Sequence, residues 1–246
     1  VGMFHFKNFL SNKYTKVISV CDFDKRKIKN IKKLHPNIYV TSNANDVLNN
    51  EEIELVCIAS YDNYHFKQVI QAIKNKKNIF VEKPICTSFQ EFIKIKKALN
   101  KNPKIKISSN FVLRTAPQFL KLKGLFKSQK FGDIYHVSGE YNYGRISKII
   151  SGWRGKIPKY SVTHGGAIHI IDLVLSLLNK KPKKVAALGN NISTKNKNFK
   201  NHDITSAIIE FNNKLILNIT SNFGCVMPHH HTLKVYGTKL TFVQEF

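Results

Sequence analysis

The sequence predicts an α/β chain in two parts: a doubly wound parallel sheet in the first half, then an α+β domain built on a mostly antiparallel, open sheet. Three observations carry that prediction. Short apolar runs alternate with helix-length stretches from Lys16 to Ile107. One of those runs, Asn78-Ile79-Phe80-Val81, lacks the polar alternation of a half-exposed strand, and from Lys184 onward strand-like runs follow one another with no helix between them. At 246 residues and 42% hydrophobic content, the chain can bury two cores, and the expected division is 1–112 and 113–246.

Each element has local grounds. Gly2 to Leu10 reads as the opening turns of a helix, Lys16 to Cys21 as an apolar strand ending at Asp22, and Lys25 to Leu34 as a basic helix closed by Pro36. Ile38-Tyr39-Val40 is a short strand, Asn45 to Leu48 a short helix, Glu54 to Ala59 a buried strand and Tyr64 to Lys74 a helix. Ile79 to Val81 is the strand already noted; Phe89 to Leu99 is a helix and Ile105-Lys106-Ile107 a last strand of this half. Beyond it, Pro117 to Gln129 is helical, Ile134 to Tyr141 alternates as a half-buried strand, and an apolar helix ends near Asn179. Lys184 to Leu188, Ile204 to Phe211, Lys214 to Asn222, Thr232 to Tyr236 and Leu240 to Val243 complete the second sheet. Asn212-Asn213 and Gly237-Thr238-Lys239 serve as hairpin turns.

The formal charge of +25 invites a nucleic-acid reading, because neutralising phosphates with basic side chains drives such binding. The distribution argues against it. All but four of the 40 basic residues are lysines, strewn through the helices among Asn and Ile instead of gathered with aromatics on one element. No run of about 18 apolar residues exists and the amino terminus lacks the order of a secretory signal, so neither a membrane span nor export is expected. Cys21, Cys57, Cys86 and Cys225 are widely spaced with no C-x-x-C pair, which fits reduced thiols in a cytoplasm. The run Cys225 to His231 suggests a metal, but consecutive histidines on a strand point to opposite faces, so no metal site is expected.

Two stretches carry chemistry. Glu82-Lys83-Pro84 follows the buried strand, where parallel sheets bind ligands; Pro84 keeps Lys83 extended at the strand's mouth, and Glu82 offers a carboxylate to ribose hydroxyls or to the lysine. Asp22 follows Gly2 by twenty positions, the spacing between the last glycine of a G-x-G-x-x-G turn and the acid that holds a ribose. Gly2 is then the third glycine of a Rossmann-type turn, whose first strand and first two glycines would lie upstream of Val1. In the second stretch, Gly165-Gly166 opens an apolar helix, the glycines allowing close approach, and His169 and Asp172 share one helical face.

Asp22, the Ala59 to His65 turn, Glu82-Lys83-Pro84 and G-G-A-I-H-I-I-D at 165–172 together resemble the Gfo/Idh/MocA family of nicotinamide-dependent oxidoreductases, over nearly the whole chain. The resemblance implies that Lys83 reaches the nicotinamide and the reacting hydroxyl, and that His169 removes or returns the hydroxyl proton. It implies NAD, with Asp22 on both ribose hydroxyls, while Lys25 and Arg26 leave NADP as the alternative. Ser60, Asn63, His65 and Asn110 join Gly2, Asp22, Glu82 and Lys83 as cofactor-binding candidates.

Asn110 to Arg114, Tyr141 to Arg145 and Ser151 to Arg154 resemble members acting on sugars or nucleotide-linked sugars for surface-polysaccharide synthesis. Arg145, Trp153 and Arg154 would supply charge and a stacking face for a sugar or its phosphate. One departure is visible: many members carry an aspartate four residues before the catalytic histidine, and Gly165 stands there. Tyr160 or Asp172 then orients the imidazole, with Tyr160 also a substrate-side donor, or the chain is a binding or regulatory member without turnover. The second sheet is expected to form a homo-oligomer, and the chain to be incomplete at both ends and itself of little activity.

Overall fold

The computed structural model describes residues 1–245. It divides into two compact units, Val1–Asn110 and Phe111–Phe246, two residues ahead of the division expected from the sequence.

The first unit alternates helices and strands: α1 (Gly2–Ser11), β1 (Ser19–Cys21), α2 (Lys25–Leu34), β2 (Tyr39–Thr41), α3 (Ala44–Leu48), β3 (Leu55–Ile58), α4 (Asp62–Lys74), β4 (Asn78–Val81), α5 (Phe89–Asn100) and β5 (Ile107–Ser109). Its strands pair in parallel, β1 with β2 and, in a second sheet, β3 with β4 and β4 with β5. The helices start where side chains take orphan amides. Asp24 accepts from Arg26 N–H, Asn43 from Asn45 N–H and Ser88 from Glu91 N–H, each cap contributing about 0.5–2 kcal/mol. β5 begins two residues later than expected, because the Ile105 amide closes a turn onto the Asn102 carbonyl and so leaves the ladder. Ile79 and Val81, on one face of β4, are 2% and 0% exposed and pack with Val56, Ile58, Val69 and Ile73, while Phe80 on the other face is half-buried against His5, so the burial on both faces that the apolar run predicts is complete on one face only.

The second unit contains a 3-10 turn (Val112–Thr115), α6 (Pro117–Lys127), β6 (Ile134–Asn142), α7 (Ser147–Ile150), a 3-10 turn (Trp153–Lys156) and a π-helical turn (Thr163–Ala167) that runs into α8 (Ile168–Leu178). The strands β7 (Pro182–Asn190), β8 (Ile204–Phe211), β9 (Ile216–Asn222), β10 (His230–Gly237) and β11 (Thr241–Gln244) follow. With β6 they form one sheet in the order β11-β10-β6-β9-β8-β7, antiparallel except for the β6–β9 pair. The β8–β9 hairpin closes with Phe211 N–H donating to Leu215 O and with Lys214, not either asparagine, in the left-handed region at φ 63°. Alternate residues of β9, Leu217 and Ile219, turn inward with Val137, Ile170 and Leu173, so the apolar face of α8 covers the inner side of the sheet. Among the described residues no helix is long and apolar enough to cross a membrane.

Candidate active site

The loop that carries Lys83 is anchored on both sides. On its amino side, one carboxylate oxygen of Glu82 accepts from His5 Nε2 (2.7 Å) and from Asn110 Nδ2 (2.7 Å), tying α1 and the exit of β5 to the exit of β4. On its carboxyl side, Nδ1 of His65 donates to the Pro84 carbonyl (2.7 Å) while Nε2 lies 3.1 Å from the Ser60 carbonyl. His65 is fully buried. The Lys83–Pro84 peptide is cis. Of the expected cofactor-binding residues, Glu82 and Asn110 bond to one another and to His5 through a single Glu82 oxygen, and the ring of His65 braces two backbone carbonyls inside the unit, because a buried imidazole needs both nitrogens accommodated. The hydroxyl of Ser60 donates to Gln68 Oε1 (2.7 Å). Asn63 stands exposed in the first turn of α4.

Asp22 follows β1 directly. Its carboxylate accepts from Asp24 N–H (2.9 Å) and from Lys27 (3.2 Å), and the side chain is 25% exposed, so acceptor positions remain for ribose hydroxyls. The cation beside it is Lys27 and not Arg26, whose side chain is 96% exposed. At the start of α1, a Cβ placed on Gly2 would meet Ala59 at an ordinary 3.7 Å. Packing within the protein therefore does not demand glycine there, but it does bring the amino end of α1 against the end of β3. An acid after β1, a helix amino end beside β3 and a held lysine after β4 fit a dinucleotide at the carboxyl ends of parallel strands.

In the second unit the two glycines before α8 admit rings. A Cβ at Gly166 would overlap the Tyr141 ring, and one at Gly165 would overlap the Tyr160 hydroxyl. The π-helical turn holds that backbone, a geometry common at functional sites. His169 lies between Phe111, edge-on at 6.4 Å, and Tyr141, stacked at 6.4 Å. Asp172, expected as a partner that orients His169, accepts at both oxygens from Arg114, from Nε and Nη2 at 2.6 Å each. Sequence spacing put Asp172 and His169 on one face but could not show an arginine 58 residues away competing for the acid. The fork raises the Arg114 pKa through its bond to Asp172. Asp172→Asn is expected to cost about 1–2 kcal/mol in thermal unfolding, moderated by the half-exposed guanidinium, and to leave any pH–rate profile in place. A displaced profile would restore Asp172 to the catalytic role.

Around Tyr141 a stack of rings assembles that the sequence did not announce. Tyr143 (6.1 Å) and Phe223 (5.9 Å) lie parallel to it, and His229 (5.1 Å) and His231 (4.9 Å) meet it edge-on. The signal was present in the i, i+2 spacing of both pairs, Tyr141/Tyr143 at the end of β6 and His229/His231 at the start of β10, which in extended chain puts each pair on one side. His230 points elsewhere, its Nδ1 3.0 Å from the Pro228 carbonyl. Burial pushes the Tyr141 phenol up to about 12. Burial, then the neighbouring His229 and His230, pushes His231 down to about 4; burial, Arg145 and His230 lower His229. Both imidazoles are therefore neutral near pH 7. Among the described residues no group of three or more His, Cys, Asp or Glu is placed to hold a metal.

The depressed histidine has a stability consequence. His231 binds a proton more weakly folded than unfolded, so its contribution is complete above about 6.5 and declines as pH falls toward about 4. Thermal unfolding followed across that interval is expected to show a falling Tm, and His231→Gln a shallower fall. An unchanged slope in the variant would remove His231 as the cause.

Comparison with known proteins adds the family. The model of an oxidoreductase family with an NAD-binding Rossmann fold matches residues 1–111, and that of the GFO/IDH/MocA C-terminal domain matches residues 119–243. The chain belongs to the GFO/IDH/MocA oxidoreductase family, its first half an NAD-binding Rossmann fold. It is 26% identical over 250 residues to the uncharacterized oxidoreductase YrbE of Bacillus subtilis, covering 97% of this chain and 69% of that protein. Against several other relatives it spans 43%, 48% and 53% of their length.

In fold it is similar to myo-inositol 2-dehydrogenase from Lactobacillus plantarum, with TM-score 0.90, 19% identity, and coverage of 99% of this chain and 73% of that one. It is also similar to scyllo-inositol dehydrogenase from Lactobacillus casei, a structure with bound NAD(H) and scyllo-inositol, with TM-score 0.86, 18% identity, and coverage of 99% and 72%.

Proposed function

We propose that this chain belongs to a dehydrogenase acting on a CH–OH group of a sugar, a sugar-like polyol or a nucleotide-linked sugar, with Lys83 and His169 as its catalytic residues. The observation that carries the reading is the Lys83 loop, pinned through Glu82 on one side and Pro84 on the other at the exit of a buried parallel strand. Such anchoring is what a lysine needs to present its ammonium in one place. NAD, when bound, supplies the hydride acceptor or donor. Asp22 and the amino end of α1 would hold it, with NADP accommodated only if Lys27 turned from Asp22 to a 2′-phosphate. Lys83 would stabilise the alkoxide or polarise the carbonyl, and His169 would take or return the hydroxyl proton.

Tyr160 would stand in for the carboxylate that Gly165 lacks, since its hydroxyl occupies the space a side chain at 165 would fill. The alternative, a binding or regulatory member, differs in giving no turnover. The related inositol dehydrogenases support a polyol-like substrate, while a role in surface-polysaccharide synthesis rests on the sequence resemblance alone. The free thiols fit a reducing cytoplasm. Leu188, Ile208 and Ile216, 85%, 55% and 43% exposed on the outer face of the second sheet, are the surface through which we expect a homo-oligomer.

The test is NADH formation by the full-length protein with inositols, free sugars, sugar phosphates and nucleotide-linked sugars. Turnover of one class that His169→Asn abolishes is the expected result. NAD binding with no turnover of any class would leave the regulatory reading in its place.

A further inference from the structure

Resting on the sugar-dehydrogenase reading above, the geometry points to a more specific substrate: we propose that Arg145 and Arg154 form an anion subsite, and that the sugar carries a phosphate or carboxylate group. Both guanidiniums lie over the same ring, Tyr143, at 5.6 and 5.9 Å from its centre, and Arg154 also lies 4.6 Å from the ring of Trp153. Tyr143 in turn stacks on Tyr141, the ring that faces His169. The two cations are thus linked to the candidate catalytic imidazole through two ring contacts.

Neither guanidinium has a carboxylate partner among the described residues, whereas Arg114, in the same unit, is consumed by Asp172. Two cations held within 6 Å of one ring centre repel each other, and a bound anion would relieve that repulsion where no acid does. The imidazoles nearest them add no competing charge: burial and the arginine itself keep His229 neutral at pH 7. Residue choice points the same way. In a chain whose basic residues are lysine at all but four of 40 positions, two of the four arginines stand here. Guanidinium differs from ammonium in two respects that matter at this place: it stacks flat on aromatic rings, and its fork grips both oxygens of a phosphate or carboxylate. Aromatic faces beside a cationic fork suit a sugar ring with a charged substituent, and a neutral polyol would leave both guanidiniums without a ligand.

Trp153 is the chain's sole tryptophan and touches Arg154, so its fluorescence reports on the subsite without any turnover. The full-length protein is titrated with glucuronate, glucose 6-phosphate and inorganic pyrophosphate, separating a sugar acid, a sugar phosphate and the bridge of a nucleotide-linked sugar, with glucose as the neutral control. At least one anion is expected to saturate the signal where glucose does not. Calorimetric affinity for it should fall about 10- to 100-fold in Arg145→Gln and in Arg154→Gln, and less in the lysine variants, which keep the charge and lose the fork. Arg145 is exposed, so its variant reads out the subsite even if Arg154→Gln fails to fold.

Glucose binding as tightly as the anions, or anion affinity unchanged in Arg145→Gln, overturns the proposal. Failure of the dehydrogenase reading looks different: anions would bind with full arginine dependence while no substrate yields NADH. Turnover of a neutral polyol with affinities indifferent to both arginines would keep the dehydrogenase and remove the subsite.

Discussion

Replacing Lys83 by methionine is expected to slow hydride transfer about 10²- to 10⁴-fold while NAD affinity stays nearly unchanged. The asymmetry follows from where the structure holds the residue. Its neighbours Glu82 and Pro84 are fixed by His5, Asn110 and His65, and these anchors remain in place when methionine replaces the lysine. On the proposed mechanism, what disappears is a positive charge where negative charge would develop on the substrate oxygen. Stopped-flow measurement of NADH formation, with NAD affinity from calorimetry, separates the two effects. Equal losses in both would mean that Lys83 serves the cofactor and not the reaction. The anchors have their own signature: loosening the Pro84 carbonyl with His65→Leu should lower kcat more than it raises KM, since a misplaced ammonium binds almost as well as it did but reacts less.

The second large effect concerns Gly165. Introducing the acid that many family members carry at that position, Gly165→Asp, is expected to destabilise the second unit by about 3–5 kcal/mol, because the new side chain meets the hydroxyl of a buried tyrosine and places a carboxylate in an aromatic core. Tyr160 is 4% exposed and packs against Phe199 and Phe223, so it cannot swing aside. Combining Gly165→Asp with Tyr160→Ala should recover part of the lost stability, since removing the phenol makes room for the new side chain, which in turn fills part of the space left. Thermal unfolding of the two single variants and the double variant forms a cycle whose coupling energy measures the shared space. Additive losses would show that the two positions do not compete. Activity gives the same cycle a second readout: Tyr160→Phe alone, which keeps the ring and removes the hydroxyl, should lower turnover and shift the pH profile attributed to His169.

Much of this was readable along the chain because it depends on short-range periodicity. The helix Lys25–Leu34 and the strand Ile204–Phe211 fall where the residue pattern put them, and the apolar run ahead of Lys83 is the strand β4. Helix and strand are local: 3.6- and 2-residue repeats with a capping or breaking residue at the end decide them. The family resemblance was legible for the same reason, since its motifs are contiguous.

Partnership was not legible, because a polar side chain bonds to whatever group the fold brings within about 3 Å, wherever that group lies in the sequence. Asp172 stands three residues from His169 and pairs with Arg114; Glu82 stands beside Lys83 and is held by His5 and Asn110. Gly165 reads in sequence as a missing acid, and only packing shows that a phenol from five residues upstream fills its place. The sequence by itself determined the elements, their order and the residue types available for chemistry. Tertiary structure alone decided which polar groups are consumed by one another and which, like Arg145 and Arg154, stay without an acid, because competition for hydrogen bonds is settled in three dimensions.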